Sequence, residues 1–161
     1  MPVLTKVTQL YVPEEDRICM TAEDRDGHSL AFWLTQRICR QLVPVLCGHL
    51  DRITPVRKIV SRDMQLACRQ QHAEWHFQPS EPVRIENGAR MVLPLKIDYV
   101  FTGELASLIF PAGGNENAEL SLNAQELRQW LSIMYRLFRH AQWPTDVWPV
   151  WFAEVGQFQN R

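Results

Sequence analysis

The chain has 161 residues, 46% of them hydrophobic and 22% charged, with a formal net charge of −1. A chain of this length can bury a core without metal or disulfide staples, its composition excludes a disordered polymer, and no apolar run is long enough to span a bilayer. The charge balance gives no global attraction for nucleic acid or an anionic membrane, although Glu14 to Asp26 is acidic and Arg37 to Cys68 is basic.

Met1 to Thr8 carry one lysine and no sustained apolar stretch, so no secretory signal is expected and the cytoplasm is the expected compartment. Cys19, Cys39, Cys47 and Cys68 fall short of a disulfide scaffold and none form Cys-x-x-Cys. They are expected to be reduced and mostly buried.

Lys6 to Val12 and Arg17 to Thr21 are rich in β-branched and aromatic residues around Pro13-Glu14-Glu15-Asp16, which predicts a hairpin. A turn at Asp24-Arg25-Asp26-Gly27, where glycine supplies positive φ, leads to a third strand at Ser29 to Leu34. Thr35 is placed to cap a helix whose stripe is Cys39, Leu42, Val43, Leu46 and Leu50. Pro44 predicts a kink there, or an end near Val43 with a short second turn. Thr54-Pro55 opens a second helical stretch, 55–76, with Val56, Ile59, Val60, Met64, Ala67, Gln71 and Trp75 near one face. Pro79 and Pro82 then break the chain.

Strand pattern resumes at Val83 to Ile85, turns at Asn87-Gly88, and runs from Arg90 through Phe101 with Pro94 as a bulge or edge position. Leu105 to Phe110 and Ala118 to Leu122 are further strands around a loop at Pro111 to Asn115. Asn123 and Glu126 form a capping box ahead of a helix whose stripe is Leu127, Trp130, Leu131, Met134 and Phe138. A shift of 88 positions carries Tyr11-Val12 onto Tyr99-Val100, the cap Thr35 onto Asn123, and one helical stripe onto the other. The match rests on the order of turn, strand, cap and stripe, and general capping physics is an alternative reason for it. The expected fold is therefore α+β: two antiparallel β-meander-plus-helix halves, 5–50 and 83–141, in one domain over 1–161. An extra helix lies between them and a Trp/Pro-rich segment, 143–161, follows. The helices cover one side of the sheets and leave the other face open.

Cys68, His72 and His76 are spaced by four, so two of them can share a zinc ion on one helical stripe. Three ligands on successive turns span about 12 Å, too far for one ion, and a polar border beside buried Met64, Ala67 and Trp75 is the competing reading. Cys47-Gly48-His49 has no orienting acid beside it, and no nucleophile or phosphate-loop signature is present. No catalytic residue, metal or cofactor is therefore assigned.

Trp143, Trp148, Trp151 and Phe152 either close the core or anchor a partner. Arg52, Arg57, Lys58, Arg62 and Arg69, with Tyr11, Trp33, Tyr99 and Phe101 on strands, suit phosphate contact and base stacking. In architecture alone, with no motif matched, the paired plan resembles the PUR and Whirly families, and that resemblance implies single-stranded nucleic acid as a ligand. The first expectation is a non-catalytic interaction module of a small bacterial-type cytosolic protein, docking to a protein partner or to its own copy. The second is a single-strand nucleic-acid binder, and an enzyme is the third.

Overall fold

The computed structural model describes residues 1–55, 61–85 and 89–152. The expected Asn87-Gly88 turn, the helical positions Val56, Ile59 and Val60, the basic residues Arg57 and Lys58, and the end of the Trp/Pro-rich segment lie outside them.

The fold is α+β. Strands β1 (Leu4–Val12), β2 (Arg17–Asp24) and β3 (Ser29–Leu34) form a meander, and helix α1 (Gln36–Ile53) follows. After α2 (Arg62–Trp75) come β4 (Met91–Val92), β5 (Asp98–Thr102), β6 (Leu105–Gly113), β7 (Glu116–Leu122) and helix α3 (Ala124–Ala141). One sheet has the order β1-β2-β3-β4 and the other β5-β6-β7. A parallel bridge between Val3 and Glu119 links them, with the Glu119 amide donating to the Pro2 carbonyl at 2.9 Å.

Both cap positions act as their chemistry requires. Thr35 and Asn123 have extended backbone, and each side chain accepts from the amide three residues on. Asn123 and Glu126 complete a reciprocal capping box. The five stripe residues predicted for each long helix are buried, and so are Ile18, Met20, Phe32 and Leu34 of one sheet and Leu108, Phe110, Leu120 and Leu122 of the other. All belong to one hydrophobic cluster, and Phe32 meets Phe110 with ring centroids 5.1 Å apart.

At the 88-residue shift the bounds of α1 coincide with those of α3. Each long helix also ends over the first hairpin of the other half. The buried His49 ring on α1 stacks on Phe101 of β5 at 4.1 Å, and its Nε2 donates to the Glu104 carbonyl at 3.2 Å. At the end of α3, His140 and Trp143 meet Tyr11 of β1 at 5.7 and 5.9 Å.

Several expectations change. Helix α1 runs through Pro44 without ending near Val43; the proline is exposed, so its missing amide leaves the Arg40 carbonyl on the wet side of the helix. Helix α2 begins after Ser61, whose hydroxyl accepts from the Met64 amide, whereas Thr54 ends α1. The strand expected from Arg90 to Phe101 is two strands: β4 pairs parallel with β3, and β5 pairs with β6 in the other sheet. Buried Pro94 stands where the chain changes sheets, because it offers no amide to continue either ladder. Val83 to Ile85 form no strand. Instead Val83 straps the outer face of the first sheet, its amide bonded to Thr8 Oγ1 at 3.0 Å and its carbonyl accepting from Thr21 at 3.4 Å. That face is therefore partly covered.

Candidate functional site

The Trp-rich segment turns back on the core. Gln142 takes a left-handed conformation at φ 58°, and the Trp143 amide donates to the Phe138 carbonyl at 3.0 Å, which reverses the chain at the end of α3. Trp143, Trp148, Trp151 and Phe152 are all buried. Trp148 meets Phe138 and Tyr135 edge-on at 5.3 and 5.1 Å and lies 4.8 Å from Phe152. Arg40 clamps the segment from α1 with a bidentate bond to Asp146, at 2.7 and 3.0 Å. These rings offer no free surface to anchor a partner. Of the two readings of the segment, closing the core matches their burial.

Of the five basic residues, Arg52, Arg62 and Arg69 lie among the described residues, and each has different surroundings. Arg62 is taken up in an intrachain bond: its Nε meets Asp51 Oδ1 at 2.5 Å, and its Nη2 donates to the carbonyls of Asp51 and Thr54. Arg52 lies over the Phe101 ring, 5.7 Å from its centroid, with Tyr99 a further 5.3 Å along the strand. Arg69 is exposed on α2 at a cleft with Arg128 and His72.

Of Cys68, His72 and His76, the two histidine rings lie close together, with centroids 4.2 Å apart. His76 caps α2 and its Nδ1 donates to the His72 carbonyl at 2.8 Å, which commits one ring nitrogen of the pair. Among the described residues the group of three ligand residues within reach of one another is Asp24, Asp26 and His28, at the β2–β3 turn. There Asp24 Oδ1 accepts from the amides of Asp26 and His28, both at 2.9 Å, and these bonds hold its carboxyl below the usual range. Cys39 and Cys47 are buried; burial pushes the Cys39 thiol up to about 12 and raises that of Cys47 as well, so neither supplies thiolate at neutral pH.

The outward face of α2 departs most from expectation. Of the predicted stripe, Ala67 is half-buried against the core, but Met64, Gln71 and Trp75 face solvent, Met64 57% and Trp75 85% exposed, with exposed Cys68 on the same face. The buried side is Gln65, Leu66, Gln70 and Ala73. Two glutamines can face inward because each finds an acceptor: Gln65 Nε2 donates to the Pro55 carbonyl at 2.6 Å, and Gln70 Nε2 to the Arg128 carbonyl at 2.8 Å. Gln129 returns a bond from α3 to the Ala73 carbonyl at 3.0 Å. Polar bonds thus fix α2 to α3 and leave its apolar stripe turned away.

A second apolar run, Leu95, Tyr99 and Val100, lies along the edge strand β5 and the chain just before it. The Lys96–Asp98 ion pair sits within this run and guards the edge against strand addition. No helix among the described residues is long and apolar enough to cross a membrane. The chain matches no protein-family model, no curated protein and no solved structure.

Proposed function

We propose that this chain is a non-catalytic cytosolic interaction module whose docking surface is the outward stripe of α2, Met64, Cys68, Gln71 and Trp75. The reading rests on one observation: a tryptophan 85% exposed shares a helix face with a methionine 57% exposed, while the same helix is anchored by its polar side. An exposed apolar stripe on a rigid helix gains by meeting another apolar surface, and tryptophan is the residue type that most often dominates such contacts. The stripe suits a groove on a protein partner or the same stripe on a second copy. In this reading the two halves are an internal repeat that builds a stable platform, and α2, outside the repeat, is the element it presents.

The test compares the wild type with Met64→Ala/Trp75→Ala by light scattering over a range of concentrations and by recovery of the tagged protein from its own cells. Both changes are on an exposed helix surface and to the best helix former, so the fold is retained. The expected result is an assembly in the wild type that is absent from the variant at unchanged melting temperature. A wild type that stays monomeric and brings down no partner refutes the reading.

The nucleic-acid reading keeps one supporting feature, Arg52 beside the exposed ring of Tyr99 and the half-buried ring of Phe101. It predicts oligonucleotide retention that weakens steeply with salt and is reduced by Arg52→Glu/Tyr99→Ala; no retention at low salt removes it.

A further inference from the structure

We propose that the cleft between α2 and the start of α3 binds a tetrahedral oxyanion, a phosphate or phosphate-monoester group, through Arg128, Arg69, His72 and the first turn of α3. The cleft has a volume of about 180 Å³ and is lined by Arg69, His72, Ala73, Ala124, Gln125 and Arg128, with no carboxylate among them.

The central feature is Arg128. It is only 4% exposed, Nη2 donates to Thr54 Oγ1 at 3.3 Å, and the buried Nε has no acceptor among the described residues. No carboxylate pairs with it among the described residues. Burial is the main cause that pulls its pKa down to about 10, Arg69 adds to the effect, and Glu104 opposes it. The guanidinium is therefore still charged at neutral pH. A buried cation whose donors are left over is the unusual state, since buried charges are as a rule paired.

The surroundings supply what an anion needs. Arg69 brings a second guanidinium and His72 an imidazole from α2. The cleft also opens at the N-terminus of an 18-residue helix, where the partial positive charge of the peptide dipoles is concentrated. The capping box uses the amides of Asn123 and Glu126, which leaves those of Ala124 and Gln125, two cleft residues, as the open donors of that turn. These donors come from more directions than the two oxygens of a carboxylate, and a tetrahedral oxyanion offers more acceptors to meet them. The bonds from Gln70 and Gln129 between the two helices hold the walls of the cleft in place. None of this depends on the docking stripe or on the rings beside Arg52.

The experiment follows melting temperature and calorimetric binding with sodium phosphate, glycerol phosphate, sodium acetate and sodium chloride at matched ionic strength. Phosphate, glycerol phosphate or both should raise the melting temperature saturably, while acetate and chloride do not. A stronger response to phosphate assigns the site to the free ion, and a stronger response to glycerol phosphate to the group carried on a larger molecule; either upholds the proposal. Arg69→Gln and His72→Gln change exposed residues, keep the fold, and should each weaken binding about tenfold. Equal responses to all four salts, or phosphate binding untouched by Arg69→Gln, overturn it.

Discussion

The indole of Trp143 and the carboxylate of Asp16 meet across 127 positions of the chain, Nε1 donating to Oδ1 at 2.8 Å. The same oxygen accepts from the Tyr11 hydroxyl at 2.7 Å, so one carboxylate ties the first hairpin to the end of α3. Asp16 itself has a φ of 49°, in the left-handed region that a β-branched residue would resist. At the 88-residue shift Glu104 takes its place in the second hairpin, but His49 meets Glu104 through the backbone carbonyl. The two crossings do the same mechanical work, and only the first involves an ionisable acceptor.

That difference predicts a pH dependence. The bonds from Tyr11, and then from Trp143, hold the Asp16 carboxyl below its ordinary value of 3.8. A carboxyl lowered in the folded state stabilises the fold above the unfolded value, and the contribution fades as pH falls through the lowered one. Asp16→Asn should therefore be less stable than the wild type at neutral pH, with the two converging below pH 3.8. Asp24 and Asp146 are also lowered and add to the acid limb, but they cancel in the difference between the two proteins. Urea unfolding of both across a pH series checks this. A gap that stays constant to low pH would remove the role given to the charge.

The Trp-rich segment should behave as core. Trp148→Ala and Trp151→Ala each remove a buried ring, and cavities of that kind cost about 3–5 kcal/mol, a large part of the total stability of a typical domain. Trp148→Phe is the sharper test. The Trp148 indole N–H is buried without an acceptor among the described residues, so phenylalanine loses ring volume but no hydrogen bond and should retain most of the stability. Chemical denaturation of the three variants gives the order. If Trp148→Phe costs as much as Trp148→Ala, the N–H does have an acceptor and the prediction fails.

Much of the fold was legible where local and tertiary signals agree. The stripes of α1 and α3 are unbroken and each follows a cap residue, so propensity, periodicity and capping all favour the same element. Helix α2 shows where that logic fails. Its apolar stripe was readable from Met64 to Trp75, but its direction depends on Gln65 and Gln70 reaching the carbonyls of Pro55 and Arg128, both outside the helix and the second 58 positions away. Helical spacing of apolar residues marks a face but carries no trace of such bonds. The sheet change at Pro94 was hidden for a similar reason: a proline between two strand-like runs looks the same whether the chain bulges or crosses over. Arg128 gave no signal, because an arginine beside a helical stripe normally snorkels to water.

Arg62 illustrates how a residue read as a ligand contact serves the fold. It stands at the first position of α2 and donates to the Asp51 and Thr54 carbonyls at the end of α1, where the last turn of a helix has acceptors to spare. With its ion pair to Asp51 it ties the two helices together across the connection between them. Both partners are more than a third exposed, so the charge itself contributes little, and the bonds to the carbonyls carry most of the effect. Arg62→Gln should cost about 1–2 kcal/mol, and Arg62→Glu more, because it sets a second acid against Asp51 and the carbonyl end of α1. A double-mutant cycle with Asp51→Asn should show a coupling of about 0.5–1 kcal/mol, read from urea midpoints; strict additivity would mean that the ion pair contributes nothing. Loss of oligonucleotide retention in an Arg62 variant therefore counts as a lost contact only where the variant is as stable as the parent. Arg52, whose side chain lies on the Phe101 ring with no carboxylate partner among the described residues, is the cleaner position for that test.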